Sequence, residues 1–407
     1  MRDCAFAWFH RARTARCGQT PIAIERWGVV CMAWAIGFAW FALGGTGLLA
    51  QQTTQDDTAN ELESIRAAHG LPGLIAGHFS LNGEPDVVAV GQRRSGSREK
   101  LQLDDRMHLG SCTKSMTAVL IGLLVDEGKL RWNSTLGEVF ADDPRVVNSD
   151  WSSATVEQLL HHVSGAPANP PWGNFDDSSI SVVEQRRNIL HWMTDQPRKP
   201  ESIGAFVYSN LGYMVLGHMV EALRGQSWER EIQERLFGPL GIQSAGFGPP
   251  SKAHGDGMPW GHRNVLGVML ATDFDNPPAL GPAGTVHMSL PDWIRYLRLH
   301  VIPDGEASTA TWDPPIPLRR ETLRTLHTPA TNETYAGGWI VSEREWAGGR
   351  ILTHNGSNTF WFCVVFLAPE QKRGVLAASN YGLAAAQACD DALQWMLKKH
   401  SADADAR

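Results

Sequence analysis

Cysteine is scarce. The 407 residues contain six, three of them in the first fifty. The other three, Cys112, Cys363 and Cys389, are odd in number and far apart, which excludes a disulfide framework and reads as buried small apolar side chains. Positive charge is also in short supply: 36 Lys and Arg stand against 43 Asp and Glu, a formal charge of −7. Without residues 1–50 the balance is 31 against 41, or −10. A body that acidic argues against nucleic acid as a partner. Fifteen histidines include no His-Glu-x-x-His, and the neighbouring pair His161-His162 diverges on a helix, so no metal and no other cofactor is expected. No Gly-x-Ser-x-Gly elbow is present, which excludes an α/β-hydrolase. There is no internal repeat, and tyrosine is rare, five in all.

What the chain does have begins at its N-terminus. Residues 28–50 carry no charge and are rich in Trp, Phe, Leu and Ala, with five Arg before them and Asp56, Asp57, Glu61 and Glu63 after. The positive flank places the N-terminus in the cytoplasm and the body outside, periplasmic or extracellular. The run is of signal-peptide size at 29–43 and, taken whole, long enough to span a bilayer, so residues 1–50 are expected to be a signal peptide or a signal anchor. The membrane is expected to be met only through this segment.

The body is organised around Leu109-Gly110-Ser111-Cys112-Thr113-Lys114, followed by the apolar run 118–125. That run predicts a helix, and Gly110 and Ser111 stand where its cap belongs. Ser111 and Lys114 then share one face, one turn apart. An apolar surround and the positive end of the helix dipole both favour a neutral amine. A neutral amine can take the hydroxyl proton and activate the serine. The spacing alone is weak, because Ser97-Arg98-Glu99-Lys100 repeats it in a charged stretch. Cys112 points away from Ser111 on such a helix and is not expected to be the nucleophile.

Around this centre, β-rich runs are predicted at 73–80 and 87–92, split by Asn82-Gly83, and again at 336–342, 351–354, 360–367 and 375–379. Helices are predicted at 61–69, 155–162, 181–194, 211–223, 228–236, 290–300 and 383–399. A flexible lead-in is expected at 51–58, long loops at 247–284 and a disordered tail at 401–407. The fold class is therefore α/β in the mixed α+β sense: one antiparallel sheet built from both chain ends with flanking helices, plus a largely helical inserted subdomain.

Two further motifs sit at element ends. Tyr208-Ser209-Asn210, the one Tyr-x-Asn in the chain, precedes a helix; a Tyr there either packs or turns its phenol into a cleft as a general base. His354-Asn355-Gly356-Ser357 closes a β-rich run, where Gly356 lets a substrate lie against the strand and the Ser357 N–H, with that of Ser111, can face an oxyanion. Gly281-Pro282-Ala283-Gly284 reads as a structural turn. Trp172, Trp260 and Trp361 flank these motifs, packing or lining an apolar cleft.

In this order, Ser111-x-x-Lys114, Tyr208-x-Asn210 and His354-x-Gly356 resemble the three motifs of the serine β-lactamase and penicillin-binding family, and their wide spacing resembles its class C branch of esterases and D-amino-acid peptidases. The likeness covers most of residues 57–399. It implies one β-lactamase/transpeptidase-like domain over 51–400, with an α/β part at about 57–110 and 326–400 and a helical part at about 111–325. It also implies an acyl-enzyme on Ser111, proton transfer shared by Lys114 and Tyr208 with the base left open, and substrate held by Asn210, His354, Gly356 and Ser357. The family's third motif usually opens with Lys. A His is mostly neutral at pH 7, so an exported esterase or amidase acting on a small molecule or peptide is expected in preference to a true β-lactamase. A non-catalytic penicillin-recognising sensor on the same fold is the alternative. The oligomeric state is not readable.

Overall fold

The computed structural model describes the backbone of residues 45–405 except 176, 256, 303–315 and 331–333. Most of the segment expected to be a signal peptide or anchor lies outside the described residues. Among the described residues no helix is long and apolar enough to cross a membrane.

The described residues from 51 onward form one compact unit, centred on a six-stranded antiparallel sheet. Its strands are β1 (Gly73–Ser80) and β2 (Asp86–Gly91) from the start of the body. Far along the chain come β8 (Ile340–Arg344), β9 (Gly349–Ser357), β10 (Phe362–Ala368) and β11 (Arg373–Ser379). The order is β2-β1-β11-β10-β9-β8. The seam between the two chain ends is β1 against β11, with Leu74 opposite Ser379 and His78 opposite Val375. The expected sheet from both ends is thus present.

Each central strand is apolar on both faces, because both faces are covered. Leu74, Ala76, Phe362, Val364, Val375 and Ala377 pack with Leu62, Ala388, Cys389 and Met396 of two helices, Gly45–Ala68 and the closing Ala386–Asp405. Ile75, Phe79, Cys363, Val365, Leu376 and Ala378 face the opposite way, into the main core. Both helices are longer than their sequence suggested. No Gly or Pro interrupts residues 51–68, and Thr58 and Leu62 are fully buried, so the expected lead-in is helical. The closing helix likewise runs to Asp405, into the expected tail; just before that stretch, Lys399 and His400 both bind Asp86 of β2.

Through the main core runs the helix Thr113–Asp126, buried from Thr113 to Leu124. A helix apolar all round belongs at the centre of a domain. It packs against the helix Asn210–Arg224, which starts at Ser209, whose hydroxyl accepts the Gly212 N–H at 2.9 Å. That helix ends at Gly225 in the left-handed region, φ 72°. Arg186, fully buried, binds Glu221 and ties in the helix Val182–Thr194.

The middle of the chain is less purely helical than expected. Three short strands, β3 (Met107–His108), β4 (Gly246–Phe247) and β7 (Val286–Met288), form a second sheet in the order β3-β7-β4. The expected loop region 247–284 contains a hairpin, β5 (Gly261–Val265) and β6 (Val268–Thr272). Strands of two or three residues are too short to show a period.

Candidate active site

The turn that carries Ser111 is placed by two glycines. Gly110 has φ +48°, and a Cβ on it would lie 2.4 Å from the Ser357 nitrogen; a Cβ on Gly356 would lie 1.9 Å from the Leu109 oxygen. Only two residues without side chains let this turn lie against the end of β9. Ser111 falls in a 3₁₀ turn, Gly110–Cys112, that runs into the helix Thr113–Asp126. The capping role expected of Gly110 and Ser111 is not taken up: the flanking cap positions are Leu109 and Cys112, and neither makes a side-chain cap bond. The Ser111 hydroxyl is therefore left for other partners. Its N–H lies at the start of the helix, where no intrahelical acceptor exists.

Lys114 is fully buried. Its Nζ lies 3.2 Å from Ser111 Oγ, 2.7 Å from Asn210 Oδ1 and 2.8 Å from the Ala283 carbonyl oxygen. Burial drives its pKa well below the ordinary lysine value, opposed by the neighbouring Cys112. A neutral amine has two N–H bonds and one lone pair. Asn210 Oδ1 and Ala283 O can only accept, so they take the two hydrogens, and the lone pair is left facing Ser111 Oγ. The turn Gly281–Gly284, read from sequence as structural, thus joins the site through its backbone. It is seated there by close packing, since a Cβ on Gly217 would lie 2.1 Å from the Pro282 ring. Thr117 Oγ1 also donates to Pro282 O at 2.7 Å.

Tyr208 lies beside this pair, with its ring centroid 4.8 Å from Lys114 Nζ. Burial pushes the phenol above its ordinary pKa, with the neighbouring Ser111 hydroxyl opposing, so it stands as a neutral hydroxyl rather than the phenolate a general base requires. The Tyr208 turn is strapped to His162, whose carbonyl accepts the Val207 N–H at 2.9 Å and whose Nδ1 accepts the Ser209 N–H at 3.1 Å. Asn210, expected to hold substrate, is occupied at its oxygen by Lys114, and its Nδ2 donates to Asn169 Oδ1 at 2.9 Å.

His354 is placed differently from its expected role. It is 4% exposed. Tyr335 Oη donates to its Nε2 at 3.0 Å, and its Nδ1 donates to the Asn355 carbonyl at 2.5 Å. Both ring nitrogens are spent inside the protein, and the ring supports the Tyr208 wall, 6.3 Å between centroids. Gly356 and Ser357 lie against the turn that carries Ser111. Cys112 is buried, its Sγ 3.6 Å from Cys363 Sγ, and Trp361 is wholly buried, in keeping with packing. Asn169, Ala283, Tyr335 and His162 were not foreseen as site residues. A carbonyl such as that of Ala283 has no side-chain signature, and the others reach the site only through tertiary packing.

Comparison with known proteins gives a consistent picture. The sequence profile of the family described as Beta-lactamase matches residues 58–397. Penicillin-binding protein 4 of Amycolatopsis lactamdurans is 28% identical over 334 residues, covering 79% of this chain and 84% of that protein. An unguisins hydrolase of Aspergillus campestris is 24% identical over 294 residues, 68% of this chain, which spans 53% of that longer protein. Among solved structures, a class C β-lactamase from Rhodobacter sphaeroides superposes with a TM-score of 0.66 at 19% identity, covering 84% of this chain and 99% of the other. That last likeness concerns the fold alone.

Proposed function

Because this chain belongs to the Beta-lactamase family of serine hydrolases, matched over residues 58–397, we propose that it is an exported hydrolase cleaving an ester or amide through an acyl-enzyme on Ser111. The observation that carries the reading is the buried Lys114 amine, its Nζ 2.7 Å from Asn210 Oδ1, 2.8 Å from the Ala283 oxygen and 3.2 Å from Ser111 Oγ, an arrangement in which a neutral amine spends both hydrogens on the two pure acceptors and turns its lone pair to the serine.

The steps follow from that geometry. Lys114 takes the hydroxyl proton as Ser111 Oγ bonds to the substrate carbonyl carbon. The carbonyl oxygen becomes an oxyanion facing the N–H groups of Ser111 and Ser357, a contact that strengthens only as charge develops. The neutral Tyr208 phenol, whose ring lies 4.8 Å from Lys114 Nζ, gives its proton to the leaving oxygen or nitrogen as the bond to it breaks, and takes back a proton from the Lys114 ammonium, which returns to the neutral amine. Water then attacks the acyl carbon by the same path reversed, giving the acid and free Ser111. General-base catalysis of this kind contributes about 10²–10⁴-fold. Lys114 is thus the base and Tyr208 the relay.

Substrate choice follows from β9. Its third-motif residue is an enclosed histidine with no nitrogen to spare, so the strand offers no fixed cation to a substrate carboxylate. This supports neutral esters or amides over carboxylate-bearing β-lactams. Export rests on the Arg-flanked uncharged run before residue 51. The test is a panel of short acyl esters, D-amino-acid amides and a chromogenic β-lactam, with mass spectrometry of the trapped acyl adduct. The expected result is ester or amide turnover with the adduct on Ser111, both abolished in Ser111→Ala. Near-normal turnover in Ser111→Ala would rule the mechanism out.

A further inference from the structure

The geometry points to His108 and Asp275 as a positioning pair for the oxyanion hole, acting through the two backbone segments that supply its N–H groups. The inference rests on the acyl-enzyme reading above. His108, in β3, is fully buried, and the Asp275 side chain is 6% exposed. The Gly110 N–H donates to His108 Nδ1 at 3.1 Å. That bond fixes the tautomer: Nδ1 carries the lone pair, so Nε2 carries the hydrogen and donates to Asp275 Oδ2 at 3.0 Å. The other carboxylate oxygen accepts from Asn358 Nδ2 at 2.7 Å. Asn358 Oδ1 in turn accepts the N–H groups of Phe360 and Trp361, each at 3.1 Å. One carboxylate therefore joins the residue before Ser111 to the residue after Ser357.

Both ends of this chain need holding. Gly110 has φ +48° and no side chain to restrict it, and the Gly110–Ser111 peptide sets where the Ser111 N–H points. At the other end Thr359 has φ +83°, an uncommon state for a non-glycine residue, in the turn that follows Ser357. A single buried acceptor bonded to both segments fixes the spacing of the two N–H donors. Neither His108 nor Asp275 touches the reacting atoms, so their effect is on geometry alone, and a displacement of about 1 Å at such a site costs about 10²-fold in rate.

The test compares Asp275→Asn, His108→Asn and His108→Gln with the wild type and Ser111→Ala, using a short acyl ester and its thionoester, in which sulfur replaces the carbonyl oxygen. An asparagine at 275 can accept from His108 or from Asn358 but not from both. The expected result is a kcat loss of about 10–100-fold on the oxygen ester with KM within about twofold. The thionoester-to-ester rate ratio should rise, because a loosened hole discriminates less against the larger sulfur. His108→Asn, whose amide oxygen can stand in for Nδ1 toward Gly110, should retain more kcat than His108→Gln, which keeps only a donor toward Asp275. Thermal unfolding of each variant is measured alongside. An unchanged kcat in Asp275→Asn overturns the inference, as does a loss that tracks thermal stability with an unchanged thionoester ratio. Wild-type turnover that does not depend on Ser111 overturns the acyl-enzyme reading and this inference with it.

Discussion

Replacing Lys114 by Met keeps the length of the side chain and removes the amine, so it isolates the protonation state on which the mechanism depends. Two stability effects oppose each other. The substitution orphans Asn210 Oδ1 and the Ala283 carbonyl, at a cost of about 1–3 kcal/mol each. It also removes the cost of stripping a proton from a lysine whose unfolded pKa is about 10.4, which is about 1.4 kcal/mol for each pH unit below that value. At pH 7 the two are of similar size, so the sign of the stability difference there decides little. The slope decides. Burial lowers the folded pKa of Lys114, so between that value and about 10.4 the unfolded chain binds one more proton than the native state. Wild-type stability should therefore rise with pH relative to Lys114→Met by about 1.4 kcal/mol per pH unit, and fall behind it as pH drops toward the folded pKa. The assay is urea unfolding of both proteins at pH 7, 8 and 9, comparing midpoints at equal m. Parallel curves would mean that the amine is charged in the native protein, and the lysine could not be the base.

Tyr208→Phe should lower the acylation rate by about 10²-fold or more with little change in unfolding midpoint, and pre-steady-state measurement of leaving-group release checks it; an unchanged rate removes Tyr208 from the proton path. Gly356→Ala should abolish turnover and destabilise the protein, because its methyl group would fall 1.9 Å from the Leu109 oxygen; a variant with wild-type kcat would show that β9 does not meet the nucleophile turn. Asp86 is held at a pKa of about 2 by hydrogen bonding to His400, against burial, and by Lys399. Its contribution is present above its unfolded pKa of about 3.9 and is lost as pH falls through 2. Asp86→Asn should therefore flatten the acid limb of stability between about pH 4 and pH 2 in acid titrations followed by circular dichroism; an unchanged limb would place acid sensitivity elsewhere.

The features that could be read from sequence share a property: the residues that define them are close together in the chain. Ser111 and Lys114 are three apart and meet on one helical turn. Ser209 and Gly212, or Thr155 and Gln158, cap their helices locally. The long strands at both ends announce themselves by composition and by turn residues such as Asn82-Gly83. What was not legible depends on partners brought from afar. His354 reads as a substrate contact until Tyr335 is seen to occupy its Nε2. Asn210 reads as a substrate holder until Lys114 takes its oxygen. Asp275 sits in a Pro- and Gly-rich tract with no period, and its meaning comes only from His108 and Asn358.

The seam between β1 and β11 bears on synthesis as well as on the finished molecule. Ser379 Oγ donates to the Gly73 carbonyl across 306 positions of sequence. At about 5–20 residues per second a ribosome needs roughly 15–60 s to make the intervening chain. Through that interval β1 has apolar residues on both faces and no partner on the side that β11 will fill, an edge prone to wrong pairing. Contacts of such long range make folding slow, since loop closure must precede them. The Ser111 helix is made early, but Ser357, which completes the oxyanion hole proposed above, follows only after the 245 residues between them. On the proposed mechanism the nascent protein is therefore silent until β9 emerges, and a chain that stops short of residue 357 keeps its serine and lysine but lacks half of the proposed oxyanion hole.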